Sequence, residues 1–321
     1  MKTLRCWLVI WWVGAAVSIS AAEKPKAETY LDPATAGPDY ADQGEYTNDW
    51  GGAQVIALGE DNFRLVIHKG GLPGAGWDQS AKTELAGKRE ADKITFVAGP
   101  NGFTHSLAKG VLTTLGTGGE QYTMKKVERK SPILGAKPPA GAVVLFDGSN
   151  ARAWSGGHLD ERKLLAAGCK SNQAFTNFTL HAEFLLPFKP LGRGQDRGNS
   201  GVYLQDRYEL QVLDSFGLRG ENNECGGFYT KAKPLVNMCL PPLTWQTYDI
   251  DFEAAKYDAE GKKNKNAIAT VKHNGVLIHD KFELDGVTPG GGLPENPKGG
   301  PIQLQGHGNP VFYRNLWIVE K

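Results

Sequence analysis

Three polar side chains punctuate an apolar run late in the chain: Glu209, Gln211 and Asp214, within Tyr-Glu-Leu-Gln-Val-Leu-Asp. Two carboxylates with an amide between them suit general acid–base chemistry, in which one group takes a proton and another gives one. Their spacing decides whether they can cooperate. Residues two apart on a β-strand share a face, so Glu209 and Gln211 stand about 7 Å apart at roughly 3.3 Å rise per residue. Asp214 has the opposite parity and joins them only if a bulge follows Gln211; bulges are over-represented beside active sites. Acid, amide and acid on one sheet face is how some β-sandwich glycosidases set out their carboxylates.

The element that carries these residues runs from Arg197 to Ser215. Apolar and polar residues alternate on both sides of a short break at Asp206-Arg207, which predicts a β-hairpin. Its register matters. A two-residue turn sets Val202 and Leu204 beside Glu209 and Gln211. A shift by one residue sets Tyr203 and Gln205 there instead, an aromatic and an amide suited to a sugar cleft, and this register is the expected one.

The 321 residues, with 41 Gly, 18 Pro and 40% hydrophobic residues, suit two β-rich units better than one helical one. Residues 1–22 have a charged start at Lys2 and Arg5, an apolar stretch from Leu8 to Ile19, and small residues at Ser20-Ala21-Ala22. That is the pattern of a secretory signal peptide, too short and wrongly flanked for a membrane span. Its removal takes two of 36 positive charges and leaves 34 against 35 negative. No basic patch suggests nucleic acid, and no other apolar run suggests a membrane span. The expectation is an exported protein, periplasmic or extracellular. Cys6 leaves with the signal, and Cys169, Cys225 and Cys239 remain. Export favours one disulfide, most simply Cys225–Cys239; three separate thiols are the alternative.

Residues 23–45 read as a loose leader. From 46 to 128 short strands recur between Gly-rich turns: Ala53–Leu58, Phe63–His68, Thr83–Ala86, Ile94–Ala98, Val111–Thr114 and Tyr122–Val127. Six such strands predict a small β-sandwich or barrel. His68, His105 and Trp77 are isolated there and form no constellation; packing on the second unit and binding a surface glycan are both open to this unit. Residues 129–142 are rich in Pro and Gly and read as a linker. From 143 to 321 strands and turns alternate again, with a hairpin around Asn274-Gly275. An antiparallel sandwich of the jelly-roll type is predicted, so the chain as a whole is all-β.

Several of these segments together resemble one family. They are Leu-Phe-Asp-Gly at 145–148, Gly-Asn-Ser-Gly-Val-Tyr at 198–203, Tyr-Glu-Leu-Gln-Val-Leu-Asp at 208–214, Trp-Gln-Thr-Tyr at 245–248 and Asn274-Gly275. The ending adds Gly-Pro-Ile-Gln-Leu-Gln-Gly-His-Gly at 300–308 and Phe-Tyr-Arg-Asn at 312–315. Residues 142–321 resemble the 3-keto-disaccharide hydrolase domain. The resemblance implies a concanavalin A-like jelly roll and action on sugars oxidised at C3. It does not extend to residues 46–127.

A ketone at C3 acidifies the hydrogen on C2, so a moderate base can form an enediolate. The C1–O bond then leaves by elimination, and water adds back. Such a site needs a base over C2, a donor for the enolate oxygen and an acid for the leaving oxygen. Glu209, Asp214 and His307 are the candidate base and acid; Arg197, Asn199, Gln211 and Arg314 are candidate donors, and Tyr203 lines the cleft in the preferred register. Two alternatives stay open on the same residues: direct displacement by two carboxylates, and a divalent ion held by oxygen and imidazole ligands to polarise the ketone. A non-catalytic, lectin-like carbohydrate-binding module is the competing function, because fold alone does not fix function. In every case the partner is a glycoside or oligosaccharide.

Overall fold

A computed structural model describes residues 28–321. The expected export signal and its Cys6 lie outside the described residues.

Eight strands meander into a closed antiparallel barrel: β1 (Gly44–Asn48), β2 (Gly51–Gly59), β3 (Asn62–Lys69), β4 (Thr83–Glu90), β5 (Lys93–Phe96), β6 (Thr104–Ala108), β7 (Val111–Leu115) and β8 (Gln121–Val127), with β1 pairing β8. The six strands expected from sequence are present. The two that the sequence hid, β1 and β6, are short and lack an apolar run. Alternate residues point inward, so Tyr46, Val55, Phe63, Leu65, Ile94, Phe96 and Leu112 fill the centre.

One end of the barrel is sealed. Residues 28–43 were expected to be loose, but the chain bonds Tyr30 to Phe188 through both backbone groups and then forms a short helix, α1 (Gly37–Asp42). Arg89 grips that helix through Asp39 and Asp42. Ala36 and Phe188 join the barrel core, with Tyr40 and Leu243 packed against it. The apolar residues that make this seal are separated by Pro, Gly and Asp, which concealed it from any periodicity argument.

The second unit is a two-sheet sandwich. Its strands are β9 (Val143–Phe146), β10 (Trp154–Ser155), β11 (Leu165–Ala166), β12 (Cys169–Phe175), β13 (Phe178–Leu185), β14 (Ser200–Leu204), β15 (Tyr208–Val212), β16 (Trp245–Glu253), β17 (Lys256–Tyr257), β18 (Lys263–Lys265), β19 (Ala267–His273), β20 (Val276–Leu284), β21 (Gly300–Leu304) and β22 (Phe312–Glu320). One sheet runs β10-β12-β21-β14-β15 and the other β11-β22-β13-β16-β19-β20, with β9 also on β22 and β17-β18 a separate ribbon. Between them lies one core, including Phe178, Leu180, Phe184, Val202, Leu204, Leu210, Val212, Tyr248 and Ile302. This is the predicted jelly-roll sandwich.

The Pro/Gly-rich segment 129–142 is held along its length. Arg129 bonds Glu45 on the barrel, Ser131 Oγ bonds Thr247 Oγ1 at 2.8 Å, and the Ala136 carbonyl accepts from Asn315 and Trp317. It therefore covers the outer face of the second sheet. On that face His181, fully buried, lies 2.8 Å from Asp249 Oδ1 and stacks on Trp317. Burial alone would depress this imidazole, yet Asp249 and Glu183 raise it to about 9.

Cys169, Cys225 and Cys239 are buried free thiols. Cys225 Sγ lies 3.2 Å from Tyr248 Oη and Cys239 Sγ donates to the Leu213 and Leu240 carbonyls, and the two thiols are not joined. The expected disulfide is therefore replaced by two neighbouring core thiols. Among the described residues no helix is long and apolar enough to cross a membrane.

Candidate active site

β14 and β15 form the expected hairpin, and the register places Tyr203 opposite Glu209 and Gly201 opposite Gln211. The turn is wider than two residues: Gln205 and Asp206 both adopt positive φ (56° and 55°), and Leu204 pairs with Tyr208. Tyr203 is thus beside the acid, as expected. Gln205 is not; it stays in the turn, where its amide donates to the Phe175 and Thr176 carbonyls. Val202, Leu204, Leu210 and Val212 point into the core, and Tyr203, Glu209 and Gln211 point the other way.

Glu209 is 2% exposed. Its Oε2 accepts from Tyr203 Oη at 2.7 Å, and among the described residues Oε1 has no hydrogen-bond partner. Oε1 lies over Gly201, where a Cβ would collide with it, so the absence of a side chain at 201 gives the carboxylate its place. Burial raises the Glu209 carboxyl to about 7, against the lowering influence of the Tyr203 hydrogen bond. Burial, with the Glu209 charge next to it, pushes the Tyr203 phenol far upward, so that it remains a donor. A carboxyl balanced between its two forms near neutral pH is suited to proton transfer.

Amides surround this pair. Gln303 on β21 is opposite Tyr203, and Gln305 just beyond donates to Tyr203 Oη at 3.2 Å. The Oε1 atoms of Gln303 and Gln305 and Oδ1 of Asn199 are buried acceptors without a hydrogen-bond partner among the described residues. Asn199 and Gln211 both donate to Gln195 Oε1, at 3.1 and 3.2 Å. Buried acceptors left open suit a ligand that carries hydroxyl groups. Lys170, opposite Gln303 on β12, is held at 2.7 Å by Asp206.

A loop following β20 covers the pair. Thr288 Oγ1 accepts from Glu209 N at 2.8 Å, and the Pro289 carbonyl lies 3.2 Å from Tyr203 Oη. Gly290, at φ 82°, passes so close to Tyr203 Oη that a Cβ there would crowd it. Arg207 donates to the Pro294 and Lys298 carbonyls, and Tyr208 Oη to Glu295 at 2.6 Å, which pins the loop to the hairpin.

The other residues singled out from sequence fall into separate places. Asp214 is buried but does not share the Glu209 face; β15 ends at Val212 and no bulge follows Gln211. Its Oδ2 lies 2.7 Å from Arg197 Nε, and Arg197 also donates to the Pro190 carbonyl and to Ala57 of the barrel. Arg197 and Asp214 thus form a buried pair tying the hairpin to the barrel. Arg314 is on the other sheet, 2.7 Å from Glu183 and over the Trp245 ring. His307 is exposed on the loop after β21, two residues beyond Gln305. No hydrogen bond or ion pair joins its ring to Glu209, Gln211 or Asp214 among the described residues.

The donor set does not fit a divalent ion. Around Glu209 stand a phenol and neutral amides, Asp214 is engaged by Arg197, and no group of three His, Cys, Asp or Glu side chains suitable for a metal occurs among the described residues. Gln303, Gln305, Lys170 and Thr288 were not singled out from sequence. The available signal was the alternation Gln-Leu-Gln at 303–305, of the same kind as Glu-Leu-Gln at 209–211.

Comparison with known proteins covers the sandwich. A model of the 3-keto-alpha-glucoside-1,2-lyase-like domain matches residues 141–319. A crystal structure from Parabacteroides distasonis, described as a candidate glycosyl hydrolase, is 32% identical with a TM-score of 0.53, covering 57% of this chain and 85% of that one. A second from the same organism, described in the same words, is 17% identical with a TM-score of 0.41, covering 56% and 94%. No curated protein matches the chain. The chain belongs to the 3-keto-alpha-glucoside-1,2-lyase-like domain family and is a glycoside hydrolase-like enzyme.

Proposed function

We propose that this protein is exported and cleaves glycosides whose sugar carries a ketone at C3, by proton abstraction at C2, elimination at C1 and addition of water. The observation that carries the reading is Glu209: buried, raised to about 7, bonded to Tyr203 through one oxygen and open at the other. The hydrogen on C2 of a 3-keto sugar is acidic enough for such a carboxylate to remove. An unoxidised sugar offers no proton of that kind.

Glu209 Oε1 takes the C2 proton. The electron pair moves into the C2–C3 bond and onto the C3 oxygen, then returns to expel the C1 oxygen and leave a C1–C2 double bond. Tyr203 keeps the carboxylate oriented and, as a permanent donor, holds Oε2. The amides of Gln211, Gln303 and Gln305 bind sugar hydroxyls. Protonation of the departing oxygen is assigned in this reading to His307, exposed on the loop two residues beyond Gln305. Water then adds at C1 and a proton returns to C2, giving net hydrolysis. Asp214 and Arg197 position the hairpin and do not take part.

A purely lectin-like role would not need a carboxyl poised near neutrality under an aromatic donor. The test is direct: incubate the full chain with a 3-keto-glucoside carrying a chromogenic aglycone, and with its unoxidised counterpart. Release from the keto form alone is expected. Equal release from both, or none from either, would overturn the reading. Mass spectrometry of the exported protein should find a terminus near Glu23; a retained Met1 would contradict export by cleavage.

A further inference from the structure

The barrel lies outside residues 141–319, so nothing in the family match gives it a role. Its two ends differ. The end near the β2–β3 turn is plugged by Phe188, Tyr40 and Leu243. The other, between the β1–β2, β3–β4, β5–β6 and β7–β8 connections, is open and holds a cavity of about 510 Å³. Eight-stranded barrels have an interior just wide enough for side chains or one small ligand. Here the lower interior is filled, and the mouth is not.

We infer that this mouth is a carbohydrate-binding site, separate from the residues around Glu209. A sugar ring presents an apolar face of C–H groups and an edge of hydroxyls, so it needs a flat aromatic surface beside hydrogen-bonding groups. The mouth supplies both. Trp50 is 72% exposed at the β1–β2 turn, with its ring 5.5 Å from that of Tyr122. An indole so exposed contributes little to the barrel core. The turn is nevertheless fixed: Asn48 Oδ1 accepts from the backbone of Trp50 at 3.0 Å and of Gly51 at 3.1 Å, and Asn48 Nδ2 donates to Thr123 on β8. The platform is held ready at small entropic cost on binding.

The polar side is His105. Its Nδ1 pairs with Thr114 Oγ1 at 2.9 Å, and its Nε2 has no partner among the described residues. Leu112 and Met124 form the floor. The depth decides against an acyl chain. The rest of the bore is filled by Phe63, Leu65, Ile94 and Phe96, so a long alkyl tail has nowhere to go. A flat, hydroxylated ring lying across the mouth fits. The inference does not depend on the chemistry assigned to Glu209.

The test is affinity electrophoresis of the full chain in gels containing soluble xylan, starch or hydroxyethyl cellulose, with titration calorimetry on cellobiose and maltotriose. Retardation by at least one polysaccharide is expected. Trp50→Ala, at an exposed position, should fold normally and bind about tenfold or more weakly; His105→Ala should also weaken binding. Glu209→Gln should bind as the wild type does. Trp50→Ala should turn over a small soluble keto-glycoside at the wild-type rate. Four outcomes would overturn the inference. They are no retardation and no heat with any of these probes, wild-type binding by Trp50→Ala, loss of binding in Glu209→Gln equal to that in Trp50→Ala, and a mouth that takes up palmitate but no sugar.

Discussion

Tyr203 Oη stands 2.7 Å from Glu209 Oε2, and the two residues face each other directly across the β14–β15 ladder. Cross-strand register therefore brings together an acid and the phenol that orients it. The hydrogen bond favours the charged carboxylate and partly opposes the effect of burial. Tyr203→Phe removes it, so the carboxyl should rise above about 7. The rising limb of the kcat/KM profile with pH should move to more alkaline values, with a smaller change on the plateau. An unmoved limb would show that Tyr203 does not act through Glu209.

Glu209 also links stability to pH. Its carboxyl is raised from 4.5 to about 7 in the folded protein, so folding favours the protonated form. The contribution is fully present below 4.5 and is lost as pH rises through about 7. Its upper bound is on the order of 3 kcal/mol, from 1.36 kcal/mol per pKa unit. Glu209→Gln should therefore unfold at a higher temperature than the wild type at pH 8 and at a similar one at pH 4.5. Thermal unfolding at the two pH values checks this.

For Asp214 the expectation is a structural one. Asp214→Asn leaves the Arg197 charge buried without its partner, and breaking such a pair costs about 3–5 kcal/mol. The variant should melt lower, while the turnover of the molecules that remain folded stays near that of the wild type. An unchanged melting temperature with lost turnover would return Asp214 to the chemistry.

The contrast between Glu209 and Asp214 indicates how much a sequence can disclose. Alternation over residues 200–212 identified the hairpin and the face of Glu209 and Gln211, because strand periodicity is a local property. The expected register set Tyr203 beside the acid but placed the turn one residue late, and so misplaced Gln205, since positive φ at Gln205 and Asp206 is not something alternation records. The partners of Asp214 and Arg314 were hidden for a different reason. Arg197 reaches Ala57, and Arg314 reaches Glu183 across a sheet pairing; both depend on tertiary packing. The same holds for residues 28–43, whose few apolar side chains become legible only against the barrel end they seal. Gln303 and Gln305 were written in an alternating strand, but nothing local shows that β21 lies beside β14.

His181 gives a second pH window. Asp249 and Glu183 raise it to about 9 despite burial, so its charged form is favoured by folding. That stability is fully present below 6.5 and is lost as pH rises through about 9. The wild-type melting temperature should decline between those values. His181→Gln should flatten that decline and lower stability at pH 6; an unchanged slope would mean that the imidazole is neutral in the fold.

The central claim is that Glu209 removes the C2 proton of a 3-keto-glycoside. Reaction in deuterated water, with enzyme-free controls on substrate and product, tests it most directly. The wild type should place deuterium at C2 of the product. Glu209→Gln should lose both C2 exchange and aglycone release by at least about a hundredfold, the loss typical for removal of a positioned acid–base group. Aglycone release without enzyme-dependent deuterium at C2, or full activity in Glu209→Gln, would contradict the account.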